Sequence, residues 1–151
     1  VIAIGCCDDY TVKFWSPGDE KPLTTVAQFD GGLSQVRWSP DGRSLAAASD
    51  DGTVKIIDRR SGETRQTLVD HTSGVTCLAW APSGTRIASG SHDRTVRLWD
   101  PDSGVQTLAF TAHDRGINAV GWSPDGRQLV TGGKDSLLKI WDAARGYDMS
   151  R

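Results

Sequence analysis

The 151 residues lie in the usual single-domain range, and 37% hydrophobic with 24% charged residues describe a folding chain rather than a disordered or fibrous one. A net charge of -2 sets phosphate-tracking at a disadvantage, because nucleic-acid binders carry a basic surplus. No apolar stretch approaches the roughly 18 residues of a membrane span, and Cys6, Cys7 and Cys77 are an odd set without C-x-x-C spacing, so no disulfide framework and no metal site is expected. Sparse cysteines suit a reducing compartment, so an intracellular location, cytoplasmic or nuclear, is expected. The chain starts at Val1 without a basic leader or a cleavage site, and is expected to be an excerpt or a processed piece.

In chain order, residues 1–28 form a partial first unit, with a turn at Asp9-Tyr10 followed by Trp15. Residues 29–70 hold Trp38, the turn cluster Ser39-Pro40-Asp41-Gly42, β-rich runs at 45–49 and 53–57 joined through Asp51-Gly52, and a further turn at Gly62. Residues 71–112 repeat this with Trp80, Ala81-Pro82-Ser83-Gly84, runs at 86–90 and 95–99 around Asp93-Arg94, and Gly104. Residues 113–151 start a fourth copy with Trp122, Ser123-Pro124-Asp125-Gly126, Asp135-Ser136, a run at 137–141 and Gly146. Trp38, Trp80 and Trp122 are 42 residues apart, as are Asp9, Asp51, Asp93 and Asp135, and Trp15, Ile57, Trp99 and Trp141. Asp51-Gly52 predicts a type I′ hairpin, in which both central residues have positive φ. No window keeps a 3.6-residue apolar period, so each unit reads as a four-stranded antiparallel meander and the chain as all-β.

Val96 and Leu98 fall on one face of their strand and Trp99 on the other, so both faces of a meander need cover. Stacking meanders around an axis supplies it, which is a β-propeller with a repeat of roughly 40–45 residues. The stretch from Ser91 to Asp100, Ser-His-Asp-Arg-Thr-Val-Arg-Leu-Trp-Asp, resembles the signature of the WD-repeat family, and Lys134 to Asp142 is a second copy. The resemblance implies a hydrogen-bonded tetrad in each blade: His71, Ser89, Asp93 and Trp99 in one, His113, Thr131, Asp135 and Trp141 in the next. The second unit keeps only Asp51 of this set, with Phe29, Ala47 and Ile57 at the other places, and is expected to be softer. The first unit keeps Asp9 and Trp15 and has Gly5 at the Ser/Thr place. Counted in family order, the chain opens on the second strand of a blade and stops after the third strand of a fourth. That is a β-propeller arc of about three and a half blades of 42 residues, in one domain spanning 1–151. An open arc leaves apolar ends, which implies a fragment of a longer propeller or a protomer completed by another segment or copy.

His71, Ser89 and Asp93 also have the composition of a nucleophilic triad. Recurrence of the set 42 residues later favours structure over catalysis, and no G-x-x-x-x-G-K-[ST] phosphate loop is present. Lys13, Lys55, Arg97 and Lys139 recur too, and are expected to lay their stems on apolar surface with charged heads in water. Trp38, Trp80 and Trp122 are expected in the core between blades. The positions that change between copies are Asp8, Asp50, His92 and Lys134 before or beside the turn Asp, and Asp30, Thr72, Asp114 and Arg115 in the loops leading into each innermost strand. In the family this rim receives partner peptides, so these eight are the candidate binding residues. The expected function is a non-catalytic protein-protein interaction scaffold with no cofactor, binding a protein or peptide, without membrane or nucleic-acid contact. The alternatives are a regulatory or sensor segment of a longer multidomain protein, or a reader of histone tails or peptides.

Overall fold

The computed structural model describes residues 2–6, 8–15, 17–18 and 24–150. Val1 and Cys7 lie outside them, as does the side chain of Cys6. Among the described residues fourteen strands form four antiparallel sheets, each in sequential strand order. The first sheet holds β1 (Ile2–Cys6), β2 (Thr11–Trp15) and β3 (Thr24–Gln28). The second holds β4 (Leu33–Trp38), β5 (Ser44–Ser49), β6 (Val54–Asp58) and β7 (Thr64–Leu68). The third holds β8 (Val75–Trp80), β9 (Ile87–Ser91), β10 (Thr95–Trp99) and β11 (Gln106–Thr111). The fourth holds β12 (Ile117–Trp122), β13 (Gln128–Gly133) and β14 (Leu138–Asp142). The expected β-rich runs fall within a residue of these strands. Past β14 the chain turns back: Asp142 N–H donates to Tyr147 O and Met149 N–H to Ile140 O, so residues 147–150 begin an outer strand beside it. The all-β fold of blade-like meanders is the one the repeat predicts.

Among the described residues three apolar clusters lie between successive sheets. Phe14 and Val12 of the first sheet meet Leu45, Ala47 and Ile57 of the second. Ala46, Val54 and Ile56 on the second sheet's other face meet Ile87 and Trp99 of the third, and Ala88, Val96 and Leu98 meet Leu129 and Trp141 of the fourth. Alternation along each strand therefore feeds two different cores, which explains why both faces are apolar. Polar staples cross the same seams on the innermost strands. Ser34 Oγ donates to Val75 O at 2.5 Å and Thr76 Oγ1 to Ile117 O at 2.6 Å, while Leu78 N–H donates to Gln35 Oε1 at 2.6 Å. Trp80 and Trp122 sit half-buried at these seams rather than deep in the core, because each indole N–H reaches a carbonyl of the preceding sheet: Arg37 O at 3.1 Å and Ala79 O at 3.0 Å.

Among the described residues, no sheet gives the two outermost faces such cover. Val130, Leu138 and Ile140 are 37%, 68% and 38% exposed, whereas Ala88, Val96 and Leu98 at the same register positions of the third sheet are buried. At the other end Ile2 and Ile4 are 43% and 44% exposed, whereas their counterparts Leu45 and Ala47 are fully buried.

The hairpin type and the register of the first sheet both need correction. The Asp51-Gly52 hairpin is not type I′: only Gly52 has positive φ, at 88°, and Ser49 N–H pairs with Thr53 O, which makes a three-residue loop with a left-handed final residue. Tyr10, Arg94 and Ser136 hold the same conformation in the other sheets, with φ of 56°, 74° and 66°. The second concerns Gly5. Ile4 pairs with Lys13 as Ala47 pairs with Lys55 and Ser89 with Arg97, so Ile4 occupies the Ser/Thr place of the first sheet. The cause is one extra residue in the β1–β2 loop, where Cys6 pairs with Thr11.

A Cβ at Gly52 would stand 3.2 Å from His71 O and 3.3 Å from Ser73 O as well as in the left-handed region. Gly52→Ala should therefore destabilise the protein by about 1–2 kcal/mol in chemical unfolding. Arg94→Gly, which relieves strain at the equivalent position, should leave stability unchanged or raise it. Equal losses from both would contradict this account of the loops.

Candidate functional site

In the third sheet His71 enters just before β8 and meets the end of β9 and the β9–β10 turn. Its Nδ1 lies 2.8 Å from Asp93 Oδ2 and its Nε2 lies 2.7 Å from Ser89 Oγ, while Trp99 Nε1–H donates to Ser89 Oγ at 2.8 Å. One tautomer satisfies the set: Nδ1–H donates to Asp93, and Ser89 O–H donates to Nε2 while accepting from Trp99. The fourth sheet repeats it, with His113 2.9 Å from Asp135, 2.8 Å from Thr131 Oγ1, and Trp141 Nε1–H donating to Thr131 Oγ1 at 2.8 Å. In the second sheet Phe29, Ala47 and Ile57 take these places and are buried with Phe14 and Val12. A packed apolar trio leaves no donor unsatisfied at these places.

Burial lowers the His71 pKa from its usual 6.5 and outweighs the raising pull of Asp93, which keeps the imidazole neutral at pH 7. Burial opposes ionisation of Asp93, but hydrogen bonds from Thr95 and His71 outweigh it and bring its pKa down to about 2. A Ser–His–Asp set aimed inward, with the serine hydroxyl shared between a tryptophan and a histidine and fully buried, offers no atom to a substrate. Burial also pushes the Cys77 thiol up, which suits a packed side chain rather than a reactive one. Among the described residues no group of His, Cys, Asp and Glu is arranged to hold a metal ion.

The eight rim residues all lie exposed along one edge. Asp30, Thr72 and Asp114 occupy equivalent places, each with its backbone N–H donating to a turn carboxylate: Asp51 at 3.0 Å, Asp93 at 3.1 Å and Asp135 at 3.2 Å. Asp50, His92 and Lys134 are tied through their own N–H groups to Gly32, Gly74 and Gly116. Neighbouring sheets touch here as well. A Cβ on Gly74 would lie 3.1 Å from Asp50 Cα, and one on Gly116 would lie 2.9 Å from His92 Nδ1. Asp50, Thr72, His92, Asp114, Arg115 and Lys134 thus share one continuous strip, with Asp30 beside Asp50; Asp8 stands in the corresponding turn of the first sheet, 8–10. Backbone groups of the strip are used by the framework, and the side chains are left for solvent or a partner.

The recurring cations behave differently from the sequence expectation. Lys55 Nζ donates to Gln28 O and stands 4.6 Å over the Phe29 ring, and Lys139 Nζ donates to Ala112 O at 3.0 Å and stands 5.5 Å over Trp141. Their heads reach backbone carbonyls of the chain leading into the same sheet, and the stems run half-buried to that polar partner. Arg97 donates to Gln106 Oε1. Sequence reasoning also missed Arg59 and Arg86, which stack on seam tryptophans, because neither recurs at 42 residues.

The profile of the WD domain, G-beta repeat family matches three segments of the chain, residues 20–58, 62–100 and 104–142. Each matched segment takes in the outer strand of one sheet and the first three strands of the next, so every repeat straddles a seam.

Ser89→Ala should cost about 1–3 kcal/mol, since it strands both His71 Nε2 and Trp99 Nε1 in a buried place, whereas exposed His92→Ala should scarcely change the melting temperature. The pH dependence of this buried set follows from the depressed pKa values of His71 and Asp93. Unfolded His71 binds protons below 6.5 and the folded form does not, so its contribution is present above 6.5 and lost as pH falls toward the folded value. Asp93 contributes above its ordinary 3.8 and loses that contribution as pH falls toward about 2. Denaturant midpoints measured against pH should therefore fall in two stages, and His71→Gln should remove the first.

Proposed function

The chain belongs to the WD domain, G-beta repeat family, whose repeats serve in protein-protein interaction, and from that premise we propose that it is a non-catalytic scaffold. The observation that carries this reading is the pair of bare apolar ends. Leu138, Ile140 and Val130 on one face and Ile2 and Ile4 on the other are exposed at positions that every interior sheet buries. Apolar surface of that kind gains about 25 cal/mol per Å² when covered, and the register that covers it elsewhere in the molecule is that of another sheet of the same kind. The occupant proposed is a further propeller segment or a second copy of the chain, which would continue the arc. A regulatory segment within a longer protein would use the same faces.

The second surface of the proposal is the rim, as the place where a protein or peptide partner binds. Its support is the contrast between a framework that repeats and side chains that do not. Asp8, Asp30 and Asp50 make one stretch acidic, while Arg115 and Lys134 add positive charge to the other. The acidic stretch favours a reader of basic tails as the second reading, which would bind with a steep salt dependence. An intracellular site of action is part of the same proposal, supported by the sparse cysteines.

Light scattering tests the first surface: the isolated chain should associate, and Leu138→Glu should shift it toward monomer. A monodisperse monomer that binds no apolar dye would remove the proposal. For the rim, Asp50→Lys and Arg115→Glu should weaken capture of a partner severalfold with the melting temperature unchanged, while Glu63→Lys on the opposite edge should do neither.

A further inference from the structure

The three seam tryptophans are equivalent by register but are not equally covered. Trp122 carries the Arg86 guanidinium 4.7 Å from its ring centre, and that guanidinium donates to Gly126 O at 3.0 Å and Ala143 O at 2.9 Å. Trp38 carries the Arg59 guanidinium at 5.8 Å, which donates to Gly42 O at 3.3 Å. Gly42 and Gly126 are equivalent residues 84 apart, in the turn that follows each tryptophan. Arg59 and Arg86 come from non-equivalent positions, one after a third strand of its own sheet and one before a second strand of the preceding sheet. Two unrelated arginines therefore fill one repeated site, a ring face beside a glycine carbonyl.

At the third site, on Trp80, both suppliers are missing. Ser44 stands where Arg86 stands, and Pro101 stands where Arg59 stands. The space is open: a cavity of about 620 Å³ is lined by Trp80, Gly84, Pro101 and Ser44 together, which are the counterparts of the ring, both accepting carbonyls and the origin of the side chain. The carbonyls of Gly84 and Pro101 accept no hydrogen bond from a described residue, and among the described residues no cation stands over Trp80. Arg65 also lines the cavity, with Nη1 3.4 Å from Ser44 Oγ and Nη2 3.1 Å from exposed Asp102, and does not stand over the Trp80 ring.

We propose that this cavity is a binding site for the guanidinium of an arginine side chain from a partner protein, which stacks on Trp80 and donates to Gly84 O and Pro101 O. A planar fork with two parallel donors fits two carbonyls and a ring at once, and a lysine ammonium does not. Asp41, Asp58 and Asp102 line the same cavity against Arg43 and Arg65, which leaves one net negative charge to receive the cation. The same carboxylates repel the α-carboxylate of free arginine, so the site takes an arginine within a chain. It lies on the edge of the sheets opposite the rim and away from the end faces, so it stands or falls independently of the function proposed above.

The test is the indole N–H resonance of Trp80 in the full chain, titrated with the blocked peptide acetyl-Gly-Arg-Gly-amide. The arginine peptide should shift Trp80 saturably while leaving Trp38 and Trp122 in place. The citrulline peptide, which keeps the shape without the charge, should bind about tenfold more weakly, and the lysine peptide and free arginine should also bind more weakly. Ser44→Arg supplies the missing side chain in cis, and should raise the melting temperature and abolish the shift. Absence of a Trp80 shift, equal binding of the citrulline peptide or of free arginine, or undiminished binding to Ser44→Arg would each overturn the proposal.

Discussion

Burial of apolar side chains between facing sheets is the constraint on which the rest of this molecule depends. A single meander of the kind seen here has Val96 and Leu98 on one face and Trp99 on the other, and could hide only one of them by itself. Stacking resolves this for the interior sheets, each of which closes one core with its predecessor and another with its successor. The same rule makes the ends conspicuous. Residues 130, 138 and 140 obey the pattern of their interior counterparts and lack only the facing sheet.

Polar chemistry follows from that burial. Once Trp99 and Trp141 are packed, their indole N–H groups need acceptors, and Ser89 and Thr131 supply them while passing a hydrogen bond on to His71 and His113. The turn carboxylates complete the set and also hold the loop that leads into each sheet, so the rim is anchored through its backbone. The second sheet reaches the same end with Phe29, Ala47 and Ile57. Polar network and apolar packing are thus two solutions to one problem of satisfaction, and the choice between them leaves the sheet geometry unchanged.

Seams differ more than sheets do. The strands repeat closely because each must present the same two faces, whereas the turns at the sheet edges face solvent and the next turn, where several side chains are tolerated. That freedom appears in Arg59 and Arg86, which reach similar ring faces from different positions, and in Arg65, which bridges to Asp102 across the seam between the second and third sheets. It appears again on the rim, where fixed backbone contacts carry Asp50, His92 and Lys134 at one equivalent position.

The 42-residue period, the all-β meander and the near boundaries of the strands were legible in the residues alone, because periodic turn residues and β-rich runs are local signals. The members of the buried network could be named through the family resemblance, since His71, Ser89, Asp93 and Trp99 recur as a set. The loop geometry was not legible: Asp51-Gly52 suits more than one hairpin, and the pairing of Ser49 N–H with Thr53 O selects the three-residue loop with a single left-handed residue. Nor was the one-residue slip that puts Ile4 rather than Gly5 opposite Lys13, because an added loop residue shifts register without altering composition. Which cation covers which tryptophan, and that Trp80 is left open, was decided only by tertiary structure. Arg59 and Arg86 stand at non-equivalent points of the repeat, and they become comparable only when the turns of neighbouring sheets are brought together.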